Sequence, residues 1–408
     1  MKKLINLGLR GLTVLFKASL IFYIAKELNT SDMAIYGVFA AIITYFMYFV
    51  GLDFYTYYTR EIADIDPKEW FKYIKNTSYL FSVMYLLAIP LLYLIIYFKI
   101  LELKFIFIFI FILFAEHINQ EICRLLIMKQ SVLLSSFLTF VRSAAWAPII
   151  LLLMYLNIVN KNIENILYAW AVADFTCLIM GVYIIAKIID FPFEKSKVDF
   201  YWIKKGIIIC IPFLIGTLAI RGVSTFDKIW LQKYFSQEFL ASYSFFSSFS
   251  TVVFTIVDAL VLSYTYPNLI RLFKNKNNSL YNKEIKRMLI SVSGISAISC
   301  FIMYFATLIF LNIMKLNQYL NDINIFVIML VGVFLNCIGM IPHYILYSQG
   351  VDKSIYYTHI VTFILFLTFL FILTPLFGGY IVPLLVLFFY LILVVVKSYL
   401  TYLKCEFN

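Results

Sequence analysis

Apolar stretches of about 20 residues, the length that spans a bilayer's hydrocarbon core, follow one another along almost the whole chain. Short polar segments separate them. The pattern predicts about twelve transmembrane helices, at residues 4–26, 33–59, 76–98, 104–127, 131–156, 163–187, 205–227, 238–266, 288–314, 323–346, 355–374 and 379–403. Runs such as 105–115 and 381–396 are apolar without alternation, unlike the strands of a membrane barrel. We therefore expect an all-α polytopic membrane protein.

A polar segment near the middle of the chain, residues 191–204, divides the predicted helices into two equal sets. We expect six-helix bundles at 1–190 and 205–408, joined by this linker and arranged around a central cavity. An even number of helices per half means that both halves insert in the same orientation, so a repeat would be parallel. Residues 28–36 align with 235–243 at an offset of 207, and the same offset pairs Phe39 with Phe246. This similarity predicts two superposable halves.

Composition and charge support the membrane assignment and suggest an orientation. The chain is 63% hydrophobic and 13% charged, whereas a soluble domain carries about 25% charged residues. The net charge of +11 fits the excess of Lys and Arg on the cytoplasmic side of membrane proteins, so no nucleic-acid partner is expected. With the N-terminus inside, 22 Lys and Arg residues fall in cytoplasmic segments and 7 in outer ones. Both termini and the segments 188–204 and 267–287 are thus predicted to be cytoplasmic.

Cationic side chains within the predicted helices need a reason, because a charge inside a bilayer is costly. Residues 6, 10, 13 and 17 of the first helix share one helical face, and two of them are Arg10 and Lys17. The seventh helix repeats the pattern around Arg221, and Arg142 lies near the middle of the fifth. We expect these four cations to point into a common interior. The alternatives are that they reach toward headgroups or pair with nearby acids.

Acidic residues also lie within the predicted helices, mostly toward the cytoplasmic end, at Asp53, Glu116, Asp174 and Asp258. Each could form an ion pair with an arginine or carry a proton. The two histidines His343 and His359 stand alone in apolar surroundings, where packing with a local hydrogen bond is expected.

Other chemistry is not indicated by the sequence. The six cysteines are scattered without a CxxC pair, so neither a disulfide framework nor a metal site is expected. No glycine-rich phosphate loop occurs, so the chain is not expected to hydrolyse ATP. We expect no catalytic residue and no cofactor, and we expect a proton or sodium gradient to drive transport through the buried acids.

Several short motifs resemble those of one membrane-transport family. Residues 221–231 read RGVSTFDKIWL and are followed by ASYS at 241–244, similar to the family's D-(K/R)-hydrophobic…(G/A)-x-Y turn after the seventh helix. Residues 32–37, DMAIYG, are similar to the start of its second helix, and 375–379, PLFGG, to its P-l-x-G-x-x-G turn with the second glycine displaced. On these motifs and on its length and helix order, the chain resembles the polysaccharide flippases (Wzx, O-antigen transporters) of the multidrug/oligosaccharidyl-lipid/polysaccharide exporter superfamily.

The resemblance implies a flippase that works by alternating access in the bacterial cytoplasmic (inner) membrane. Its substrate would be an oligosaccharide on undecaprenyl diphosphate, such as an O-antigen repeat unit, which moves from the inner to the outer leaflet. Arg10, Lys17, Arg142 and Arg221 would then bind the diphosphate. The expected partners are this lipid-linked sugar, membrane lipids, and the polymerase and chain-length machinery of polysaccharide assembly.

Three alternatives remain open at the level of sequence. A drug exporter of the same superfamily would favour an acidic cavity for cations, whereas the polar stripes here are basic. A membrane enzyme of polysaccharide assembly, such as a polymerase, would be expected to have a long outer loop, and none above about a dozen residues is present. A structural membrane protein would leave the buried charges unexplained.

Overall fold

The computed structural model describes residues 2–189 and 197–405, and within them twelve helices are long and apolar enough to cross a membrane. They are α1 Lys2–Glu27, α2 Thr30–Gly51, α3 Pro67–Tyr97, α4 Leu103–Met128, α5 Val132–Tyr155, α6 Ile163–Ala186, α7 Phe200–Tyr234, α8 Gln237–Lys274, α9 Asn278–Ile313, α10 Ile323–Ser348, α11 Asp352–Phe377 and α12 Ile381–Lys404. The all-α polytopic architecture with twelve transmembrane helices is confirmed.

Polar side chains at the helix starts explain where several helices begin. Asn162 accepts a hydrogen bond from the backbone N–H of Asn165 at the start of α6. Ser236 and Asn277 do the same at the starts of α8 and α9. Each satisfies a backbone donor that has no partner within its own helix. The short polar segments between apolar stretches therefore both end one helix and start the next.

Four helices extend well beyond their predicted ends. α3 begins at Pro67, where 76 was predicted, and α8 ends at Lys274, where 266 was predicted. α7 begins at Phe200 and ends at Tyr234, where the hydropathy pattern predicted 205–227. α9 begins at Asn278, about three turns before the predicted start at 288. The α9 extension, 278–287, is polar and basic, whereas the α7 extensions, 200–204 and 228–234, mix lysines with aromatic and aliphatic residues. Hydropathy marks the membrane boundary, whereas a backbone hydrogen-bond ladder continues into water until a cap or turn ends it.

The second helix of each half is interrupted, although the sequence predicted continuous helices. α2 ends at Gly51, Leu52 and Asp53 adopt the left-handed conformation with φ of 53° and 48°, and a short helix follows at Tyr55–Glu61. α8 contains a π-helical segment at Asp258–Leu262. A further π segment, Val141–Ala145, interrupts α5. Such segments insert an extra residue into the helix and are frequent at functional sites.

The described chain forms two compact units, Met1–Leu218 and Ala219–Asn408, whose boundary lies within α7. In the first unit, α4 is central and packs against α2, α5 and α6. In the second, α10 is central and packs against α8, α9 and α12. Of the predicted linker 191–204, residues 191–196 lie outside the described residues. The predicted bounds of 1–190 and 205–408 stay a prediction.

The two units share a packing scheme in which each helix of the first unit corresponds to the helix six places later in the chain. The central helices are α4 and α10, and each packs against the second and sixth helix of its own unit. α2 begins at Thr30 and α8 at Gln237, at the same offset of 207 that relates the two sequence segments. Tyr36 and Tyr243 are consequently the seventh residues of their helices. This agreement supports the predicted internal repeat, while the superposition of whole halves stays a prediction.

Candidate functional site

A buried ion pair joins α4 to α5 in the first unit. Arg142, in the π segment of α5, pairs with the Glu116 carboxylate of α4 and also donates to the Glu116 backbone carbonyl at 3.0 Å. The Trp170 indole N–H of α6 donates to the same carboxylate at 3.1 Å. Three helices are thus held by one carboxylate. One guanidinium nitrogen of Arg142 makes both bonds to Glu116, whereas its Nε is buried without a hydrogen-bond partner among the described residues.

Lys17 and Asp174 complete a cluster around this pair. The charges of Glu116, Arg142 and Asp174 all act on the Lys17 ammonium. Asp174 of α6 has no exposed surface, and the charges of Glu116, Arg142 and Lys17 act on its carboxylate. We call Lys17, Glu116, Arg142 and Asp174 the charge cluster. Its two cations and two carboxylates balance, which is how charges are accommodated in a low-dielectric interior.

The cations of α1 differ from Arg142 in being accessible. Arg10 and Lys17 are both exposed on α1. Within the described residues neither forms an ion pair or a side-chain hydrogen bond. Lys17 is therefore the member of the charge cluster that lies at a surface, and Arg10 lies two turns away on the same helical face.

The second unit contains Arg221, and the flippase-like motif around it forms a buried network. Arg221 is exposed on α7, and its charge acts on Tyr390 of α12. The Tyr243 hydroxyl of α8 donates to the Asp227 carboxylate at 2.5 Å. The Lys228 ammonium lies 3.7 Å from the other oxygen of Asp227. The D-K…Y residues of the motif therefore contact one another, which gives the motif a role in joining α7 to α8.

Asp53 and Asp258 lie at the interruptions of α2 and α8. Asp53 is buried, with 4% of its surface exposed, and its carbonyl accepts the Thr56 hydroxyl at 2.9 Å. The Asp258 carboxylate accepts the Ser263 hydroxyl across the π segment at 3.2 Å. Of the eight predicted site residues, the structure brings together the four of the charge cluster. Arg10, Arg221, Asp53 and Asp258 lie outside it.

A further buried cation, Lys397 of α12, lies outside the predicted site residues. The excess of Lys and Arg at the cytoplasmic side predicts a cytoplasmic position for it, yet it is only 3% exposed, and its ammonium lies 3.3 Å from Nδ1 of His343 in α10. The His343 ring stacks parallel to His359 of α11, with 5.9 Å between centroids. The two histidines therefore do pack locally, but around a lysine. The run VVVK, seven residues before the end of α12, was the available signal.

Comparison with solved structures identifies the architecture. The crystal structure of a point mutant of the Vibrio cholerae MATE transporter VcmN superposes with a TM-score of 0.62 over 99% of this chain and 97% of the transporter, at 14% sequence identity. The chain has the fold of a MATE transporter. No family profile and no curated protein sequence matches it. At 14% identity the likeness shows the fold alone and carries over neither a substrate nor a transport role.

Proposed function

We propose that the chain is a membrane exporter and, more specifically, a flippase for oligosaccharides linked to undecaprenyl diphosphate. The proposal rests on the combination of the MATE fold with exposed cations on the first and seventh helices, Arg10 and Lys17 on α1 and Arg221 on α7. It also draws on the flippase-like motif residues Asp227, Lys228 and Tyr243, which contact one another. In this proposal no step is catalysed, and the protein moves its substrate between leaflets by alternating access.

The lipid carrier's diphosphate suits the accessible cations. A diphosphate that leaves headgroup water needs several donors, and charge-assisted hydrogen bonds are the strongest available. Arg10 and Lys17 are exposed and form no ion pair within the described residues, so they would bind the anion first. Arg221 would contribute from the second unit. That all four predicted cations line one cavity is part of the proposal.

Arg142 would bind the substrate only after its ion pair with Glu116 is broken. Its guanidinium is held by Glu116, so the diphosphate and the carboxylate compete for one cation. Binding of the diphosphate would therefore displace Glu116 from Arg142 and link substrate binding to the contact between α4 and α5. A proton or sodium gradient stays the proposed driving force, and the chain would need no ATP site of its own.

The drug-exporter alternative places different demands on the same site. A cationic drug needs an accessible carboxylate as its counter-ion. In the charge cluster Glu116 is engaged by Arg142 and Trp170, and Asp174 has no exposed surface. Within the charge cluster the exposed charge is that of Lys17, which is positive. These observations favour an anionic substrate over a cationic drug.

The test is flipping of an undecaprenyl-diphosphate oligosaccharide in liposomes that contain the purified protein. We expect Arg10→Ala/Lys17→Ala to lose most of the activity. Lys68→Ala/Lys72→Ala, which removes two exposed cations elsewhere in the first unit, is the matched control and should flip normally. Equal activity of the two double variants would reject the cationic binding site. Export of cationic dyes, with no flipping by any variant, would support the drug-exporter alternative.

The proposed location is the cytoplasmic membrane with both termini inside. Asn278, at the start of α9, is then cytoplasmic. A single cysteine introduced as Asn278→Cys into a chain without other cysteines should react with a membrane-impermeant maleimide only after the cells are opened. Labelling of this cysteine in intact cells would show that the start of α9 lies outside, which contradicts the proposed orientation.

A further inference from the structure

A basic pocket lies between the end of α8 and the start of α9, outside the charge cluster. Its volume is about 560 Å³. Four cations line it, Arg271 from α8 and Lys283, Lys286 and Arg287 from α9, together with the single acid Glu284. The pocket therefore concentrates positive charge in one concave surface of the second unit.

The four cations have little to balance them. Within the described residues no carboxylate oxygen lies within 4 Å of any of their charged nitrogens. Arg271 donates to the Asn268 side chain at 2.8 Å, which orients the guanidinium but leaves its charge uncompensated. Like charges held together in this way repel one another, so an anion in the pocket would stabilise the arrangement.

The position of the pocket along α9 places it in the headgroup layer. α9 has 36 residues and is therefore about 54 Å long, well above the hydrocarbon thickness of about 30 Å. Its apolar part is 288–313, which alone suffices to cross the core. The first ten residues, which contain Lys283, Lys286 and Arg287, therefore extend beyond the core at the level of lipid phosphates.

The same face of α9 continues as an apolar stripe. From Lys283, steps of four and three residues lead to Arg287 and Ile290, and the series continues through Ile298 and Phe301. Ile290, Ile298 and Phe301 are 65%, 61% and 66% exposed. The stripe begins where the basic pocket ends. A lipid has the same order, because its charged headgroup is followed by its apolar acyl chains.

A notch interrupts this stripe at Gly294. The residue lies between Ile290 and Ile298 on the same face, and a Cβ built there would meet no atom within 4 Å. The space beside the helix backbone is therefore open. An acyl chain that descends from the pocket can approach α9 closely at this point.

We propose that this pocket binds the phosphate headgroup of an anionic membrane phospholipid, with one acyl chain along the apolar stripe of α9. Arg271 and Arg287 would hold phosphate oxygens through their planar forks, and Lys283 and Lys286 would add point charges. The pocket shares no residue with the four cations proposed to bind the substrate, so the lipid site stands whether or not the flippase proposal holds.

Native mass spectrometry of the full chain in detergent, titrated with phosphatidylglycerol, measures this binding. A basic residue near an anionic lipid contributes about a fivefold change in affinity. We therefore expect Lys283→Gln/Arg287→Gln to bind phosphatidylglycerol about 25-fold more weakly than the wild type. The control Lys68→Gln/Lys72→Gln removes an equally spaced pair of exposed cations and should bind like the wild type.

Three results would overturn the proposal. The first is equal affinity of the pocket variant and the wild type for phosphatidylglycerol. The second is that the wild type binds phosphatidylcholine as tightly as phosphatidylglycerol when both lipids carry the same acyl chains, since the headgroup charge would then be irrelevant. The third is displacement of phosphatidylglycerol by an equal concentration of inorganic phosphate, which would indicate a free-anion site. As a check on the chain contact, Gly294→Phe should fill the notch and weaken lipid binding several-fold without removing any charge.

Discussion

Arg142→Ala tests what the ion pair between Arg142 and Glu116 contributes to the protein. The substitution leaves the Glu116 carboxylate in the interior with the Trp170 indole as a remaining donor. The side chains of the pair are only 13% and 12% exposed. Removing one partner of a buried pair typically costs about 3–5 kcal/mol, because the other charge is left uncompensated. The nearby charge of Lys17 compensates in part, so we expect the lower end, about 3 kcal/mol.

The double variant Arg142→Ala/Glu116→Gln should recover much of this loss. Glutamine keeps a side-chain oxygen for Trp170 but carries no charge that needs a partner. We expect a coupling free energy of about 2 kcal/mol between the two positions, within the range for residues in direct contact. Arg142→Lys should be intermediate, because it restores the charge without the planar fork.

Equilibrium unfolding by sodium dodecyl sulfate in mixed micelles gives the free energies of unfolding of the four variants and the wild type. If the effects of Arg142→Ala and Glu116→Gln simply add, to within about 0.5 kcal/mol, the reasoning from a coupled pair is refuted. The flipping assay then separates stability from function. A double variant that unfolds like the wild type but fails to export would show that Arg142 acts beyond its pairing with Glu116.

Two further predictions concern packing in the second unit. Tyr243→Phe removes the hydroxyl that donates to Asp227 and should lower the free energy of unfolding by about 1.5–3 kcal/mol; an unchanged unfolding curve would contradict this. Gly222→Ala would place a Cβ 2.6 Å from the Phe363 ring; overpacking typically costs about 1–3 kcal/mol, of which up to about 1 kcal/mol is offset by the higher helix propensity of alanine. Its control, Gly294→Ala, meets no neighbour and should gain up to about 1 kcal/mol from helix propensity. Thermal unfolding should therefore rank Gly294→Ala above the wild type and Gly222→Ala below it; the opposite order would argue against close packing of α7 on α11.

Hydropathy predicted the number and order of the helices because the bilayer imposes a length on every apolar stretch. It could not predict the extensions of α3, α7, α8 and α9, where the helix continues past the apolar stretch. The interruptions at Leu52–Asp53 and in the π segments were also missed. After the break in α2, the hydrogen bond from Tyr58 to Glu121 at 2.6 Å joins the short helix to α4, and such a tertiary contact leaves no trace in a local hydropathy pattern.

The candidate site was predicted in part. The shared face of Arg10 and Lys17 follows from helical spacing, and their exposure agrees with it. The pairing of Arg142 with Glu116 was one of two open alternatives, because residues 26 positions apart meet only through the packing of α4 on α5. The buried position of Lys397 was missed, since a lysine near a helix end usually reaches the membrane surface.

The interruptions of α2 and α8 change how these helices respond to force. An intact helix is a stiff rod, because bending it stretches a continuous ladder of hydrogen bonds. At Leu52–Asp53 and at 258–262 the regular ladder is already broken, so bending there requires little additional distortion. The 22 residues of α2 before its break and the 21 residues of α8 before its π segment can each act as a lever. Each of these segments can tilt about the interruption that follows it, while the rest of the same span stays packed in its unit.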